Sequence, residues 1–81
     1  MYRMIKYKNP WWVKAERFLN VTVFNLMREG ECHSAFQSVE EMTSFAKLLE
    51  DDLKAGRAMT SVTKMEYQNV INAINEVVAA S

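Results

Sequence analysis

Cysteine, proline and glycine are scarce in this chain, and each scarcity removes a class of structure. The single cysteine, Cys32, excludes an internal disulfide and suits a reducing compartment such as the cytoplasm. Two glycines, Gly30 and Gly56, are too few and too far apart for a glycine-rich phosphate loop. One histidine and one cysteine fall short of the about four ligands that a structural zinc site takes, so no metal or cofactor is expected. No run approaches the ~18 apolar residues of a membrane helix, and the opening residues hold no apolar stretch like that of a signal peptide. An excess of charge is also missing. Ten basic residues balance ten acidic ones, which argues against a bulk polyanion binder and against an acidic mimic of DNA.

What is present fits a folded globule. The 81 residues are 49% hydrophobic and 25% charged, which predicts one domain spanning 1–81 with no repeats and no linker. A domain of this size buries only ~60–65% of its unfolded surface, so its large side chains are needed for the core. The charge is unevenly placed. Residues 1–17 carry Arg3, Lys6, Lys8, Lys14 and Arg17 against Glu16, whereas residues 40–52 carry five acids against Lys47.

The clearest strand signal is "RFLNVTVFNLM" at 17–27, rich in β-branched and aromatic residues and alternating with period two. Glu29-Gly30 reads as a turn and residues 32–37 as a return strand. The implied register sets Val23 opposite Phe36 and Phe24 opposite Ala35. One face then gathers Leu19, Val21, Val23, Met27, Cys32 and Phe36 as a core face. The other gathers Phe18, Asn20, Thr22, Phe24, Leu26, His33, Ala35 and Gln37, too apolar for a plain solvated face. Residues 2–8 read as a further strand joining this hairpin, and residues 10–16 as either a helical turn or extended chain.

Two helices follow. Ser38 and Glu41 form a capping box, and Val39, Met42, Phe45, Ala46, Leu49 and Leu53 recur at helical spacing up to a stop at Gly56. A second box at Thr63 and Glu66 introduces Tyr67, Val70, Ile71, Ile74, Val77 and Val78, with Gln68, Asn69, Asn72 and Asn75 on the opposite side. The fold class is therefore α+β. It is a small two-layer domain with a two- or three-stranded antiparallel sheet and two C-terminal helices on one face. The expected core is Leu19, Val21, Val23, Phe36, Phe45, Leu49, Leu53, Val70, Ile71 and Ile74.

Catalytic constellations are not evident. Cys32 and His33 are adjacent in a strand, so their side chains diverge and cannot form a nucleophile–base pair. Glu50, Asp51 and Asp52 lack the alternating spacing of a calcium loop. The chain reads as no enzyme. Its uncovered sheet face predicts a non-enzymatic interaction module, a regulator or inhibitor that binds another protein or a second copy of itself through that apolar face or an edge strand. The expected contact residues are Trp11, Trp12, Phe18, Phe24, Leu26 and His33. Small size without catalytic groups is the manner of phage-encoded inhibitors, an association of kind alone. The alternative is a single-stranded nucleic-acid binder using the basic and aromatic opening. There Arg3, Lys6, Lys8 and Lys14 would neutralise phosphates, and Tyr7, Trp11 and Trp12 would stack on bases.

Overall fold

A computed structural model of the chain describes residues 9–58 and 60–80. It shows three strands, β1 (Trp11–Phe18), β2 (Val21–Arg28) and β3 (Glu31–Phe36), followed by helices α1 (Val39–Lys54) and α2 (Ser61–Ala80). The strands form an antiparallel meander in the order β1-β2-β3, and both helices supply the core that covers one face. This is the α+β class read from the sequence. The third strand is Trp11–Phe18, so the tryptophan segment is extended and not helical. The strand expected at 2–8 lies outside the described residues.

Two tight hairpins set the register. Leu19-Asn20 joins β1 to β2, with Leu19 at φ 54°; Glu29-Gly30 joins β2 to β3, with φ 53° and 81°. Two consecutive positive values match the right-handed twist of the strands they connect, and Gly30 adopts its value without a Cβ clash. The expectation of one unbroken strand over 17–27 is therefore corrected: the chain reverses at Leu19-Asn20. Asparagine tolerates such a turn, but leucine gives no sequence signal for one.

Arg28 pairs with Glu31 and Met27 with Cys32, as the turn predicts, but the ladder then shifts. A bulge at Leu26/Met27 leaves His33 as the extra residue, so Leu26 pairs with Ser34 and Phe24 with Phe36. The shift moves Phe36 from the face of Val23 to the face of Phe24 and Leu26, and that is the face the helices cover. Phe24 and Leu26 point toward the helices with Trp11 and Val13, while Val21 and Val23 point away. Leu19, expected in the core, sits at an exposed hairpin tip.

The main core cluster is Leu26, Phe36, Met42, Ala46, Val70 and Ile74, with Trp11, Val13, Phe24, Phe45 and Leu49 packed around it; Ala58, Ile71 and Ala73 are also buried. The rings of Phe36 and Phe45 meet at a tilt of 50° with 5.3 Å between centroids, which ties β3 to α1. Caps fix the helix ends. The Ser38 hydroxyl accepts from the Glu41 amide at 3.1 Å, and the Glu41 carboxylate accepts from the Gln37 amide at 2.8 Å, one residue earlier than the usual box. Ser38→Ala should cost about 1 kcal/mol in a urea titration, because one first-turn amide loses its acceptor; an unchanged midpoint would show that the cap contributes nothing.

At the far end of α1, Gly56 at φ 74° lets the Arg57 amide donate to the Asp52 carbonyl and its own amide to the Leu53 carbonyl. The Arg57 side chain also donates to the Asp52 carboxylate at 2.6 Å, which offsets an acid placed near the negative end of the helix. The second cap lies three residues before the expected one. Thr60, not Thr63, caps α2, its hydroxyl accepting from the Thr63 amide at 3.0 Å. Asn69, expected on the exposed side of α2, is buried, and its carbonyl accepts from the Asn9 side chain at 2.7 Å. That bond, together with the Trp11 amide donating to Asn9 Oδ1 at 3.0 Å, fixes where β1 enters the sheet.

Candidate functional site

Two surfaces distinguish themselves, one on each side of the sheet. The inward one is an open groove of about 200 Å³ between the sheet and the helices. Leu26, Phe45, Leu49 and Val70 form its floor and walls, and Trp11, His33, Glu66 and Tyr67 its rim. The bulge matters here, since it turns His33 toward Trp11 at 5.0 Å between ring centroids. The Trp11 indole N–H donates to Glu66 Oε2 at 2.8 Å, and the Arg28 guanidinium lies 5.8 Å from the same ring. Arg28 also reaches Glu66 Oε1 at 3.9 Å. Its Nε is buried without a hydrogen-bond partner among the described residues. A ring held on three sides, with its N–H already committed, serves as a structural bracket between β1 and α2.

The outward surface has the opposite character. Its residues are Trp12, Lys14, Glu16 and Phe18 on β1, Val21, Val23, Asn25 and Met27 on β2, and Cys32 and Ala35 on β3. Trp12 is 48% exposed, Phe18 61%, Val21 51% and Leu19 at the adjoining tip 95%. Phe18 and Val21 are direct cross-strand partners, so the tip carries three neighbouring exposed apolar side chains. The middle of the face is polar: Lys14 and Glu16 pair at 3.0 Å, and the Cys32 thiol approaches Asn25 Oδ1 at 3.8 Å. Trp12 sits at the sheet edge and also lines a shallow groove with Val13, Ala73 and Val77.

The residues expected at the site are thus divided between the two sides. Trp12 and Phe18 lie on the exposed face, and Lys14 beside them. Phe24 and Leu26 do not; they belong to the core layer, the face that Phe36 joins beyond the bulge. Trp11 and His33 line the inner groove. Arg3, Lys6, Tyr7 and Lys8 lie outside the described residues. Leu19 and Val21 join the exposed set only because the chain reverses at Leu19-Asn20, inside a stretch that alternates like one strand. Alternation over 11–16, with Val13 and Ala15 set against Lys14 and Glu16, is the signal that locates β1 and hence the reversal.

Cys32 and His33 diverge to opposite faces, so no thiol–imidazole pair forms. Among the described residues no group of three or more His, Cys, Asp or Glu side chains is placed to hold a metal ion. No described helix is long and apolar enough to cross a membrane. Comparisons with protein-family models, with curated proteins and with solved structures find no match.

Proposed function

We propose that this chain is a small non-enzymatic binding module that engages a protein, a different one or a second copy of itself, through the outward face of its sheet, acting by occupation as a regulator or inhibitor does. The observation that carries the reading is the tip formed by Phe18, Leu19 and Val21. These side chains contribute nothing to the core, yet they stand together and exposed. Leu19 adds a conformational argument. A leucine at φ 54° costs about 1–2 kcal/mol relative to a right-handed conformation, and an almost fully exposed one recovers nothing by burial within the monomer. An apolar, mildly strained residue at an exposed tip is what a partner's surface would repay. A reducing compartment such as the cytoplasm suits the exposed thiol of Cys32.

The experiment compares three baits in lysate of the native host with and without nuclease: the natural chain, Phe18→Asp, and Leu48→Asp as a control on exposed α1 surface. Proteins held by the natural chain should be retained by Leu48→Asp and lost with Phe18→Asp, since an unpaired carboxylate would be forced into an apolar contact. Equal capture by all three baits would place binding elsewhere. Capture that nuclease abolishes would favour the nucleic-acid reading of the opening segment.

A further inference from the structure

We infer that the occupant of the outward face is a second copy of this chain, docked sheet to sheet about a two-fold axis that crosses the strands at the level of Ala15 and Phe24. The inference rests on the preceding reading of that face and names its partner. The face is arranged symmetrically about this level. On β1, Lys14 and Glu16 lie one residue to either side of Ala15, and Trp12 and Phe18 three residues to either side. On β2, Met27 and Val21 lie three residues to either side of Phe24. At ~3.3 Å rise per residue the flanking aromatics stand roughly 10 Å from the axis.

A two-fold axis lying between two facing sheets and running across the strands keeps each strand over its own copy and reverses its direction. Lys14 of each copy then comes over Glu16 of the other, Trp12 over Phe18, and Met27 over Val21. Charges meet opposite charges and apolar groups meet apolar groups, each twice, as an isologous contact requires. Asn25 over Val23 is the one unlike pair. An axis running along the strands fails this test. It would set β1 over β3, with Lys14 against Ala35 and Trp12 against Cys32, and Glu16 level with Gln37 beyond the end of β3, so neither charge meets a countercharge.

The area also suits a second copy. Trp12, Phe18, Leu19 and Val21 together present ~500 Å² at their observed exposures, taking 150–250 Å² for each aromatic side chain. The flanking Val23, Met27 and Ala35 bring the face to roughly 600 Å² a side, the lower end of stable interfaces. An interface of that size, with a polar waist, gives a dissociation constant in the micromolar range.

Sedimentation equilibrium of the full chain from about 1 µM to about 1 mM, at low salt, is the test. The samples are the natural chain, Lys14→Glu, Glu16→Lys, and an equimolar mixture of the two variants. The natural chain should dimerise. Each variant alone should weaken dimerisation at least ten-fold, because one waist becomes wholly acidic and the other wholly basic. The mixture should recover a heterodimer within a few-fold of the natural affinity. Both side chains are solvent-facing, and circular dichroism confirms that the variants fold. A natural chain that stays monomeric at the highest concentration overturns self-pairing. In that case capture of a different protein that Phe18→Asp loses would leave the reading of the face standing. Variants that dimerise as well as the natural chain, or a mixture that does not recover, overturn the two-fold geometry.

Discussion

Leu26→Asp should unfold the protein, and Val21→Asp should leave it folded. Both residues lie on β2 and both are aliphatic, so hydrophobicity alone does not separate them. Register does. Leu26 is 3% exposed and packs in the cluster of Met42, Ala46, Val70 and Ile74, where a carboxylate would be desolvated among apolar side chains. Its burial costs several kcal/mol, against a total stability of about 4–12 kcal/mol for a chain of this length. Even Leu26→Ala should cost about 2–5 kcal/mol through lost transfer energy and the cavity left behind. Val21 faces outward beside Phe18, and its replacement removes no core contact. Far-UV circular dichroism with urea titration reads both variants. If Val21→Asp unfolds and Leu26→Asp persists, the faces of β2 are inverted.

Ile74→Ala should be the most damaging conservative truncation in the helices, at about 2–5 kcal/mol. Ile74 is 0% exposed and belongs to the cluster that joins α2 to α1 and the sheet. A residue with no solvent contact leaves a cavity that close neighbours fill only partly. Met42→Ala should behave alike, although the more flexible methionine surroundings can repack further. Leu48→Ala on the exposed side of α1 should change stability little. Thermal or urea denaturation that ranks Leu48→Ala with Ile74→Ala would contradict this core.

The helices were legible because their signals are local. Ser38 with Glu41, the stripe from Met42 to Leu49, and Gly56 each act within one or two turns. The hairpin at Gly30 was legible for the same reason, and the first two pairs after it follow from the loop length. The bulge at Leu26/Met27 was not. It needs no special residue type, and a single extra residue moves every later pair and so exchanges the faces. Without the bulge Phe36 falls opposite Val23 and marks the face of Val21 and Val23 as core; with it Phe36 joins Phe24 and Leu26, and the core lies on their side. The turn at Leu19-Asn20 escaped for a related reason: leucine at positive φ runs against local preference. Both illegible features shape the outward face, where the proposed function resides.

Hydroxyl-radical footprinting, read residue by residue in the free and associated protein, tests the central claim most directly. The claim is that binding uses the outward sheet face. Association should protect Trp12, Phe18, Leu19 and Met27, while Leu48, Val62 and Met65, the exposed apolar residues of the helices, keep their free reactivity. Protection of Leu48, Val62 and Met65 with the strand residues unchanged would contradict it.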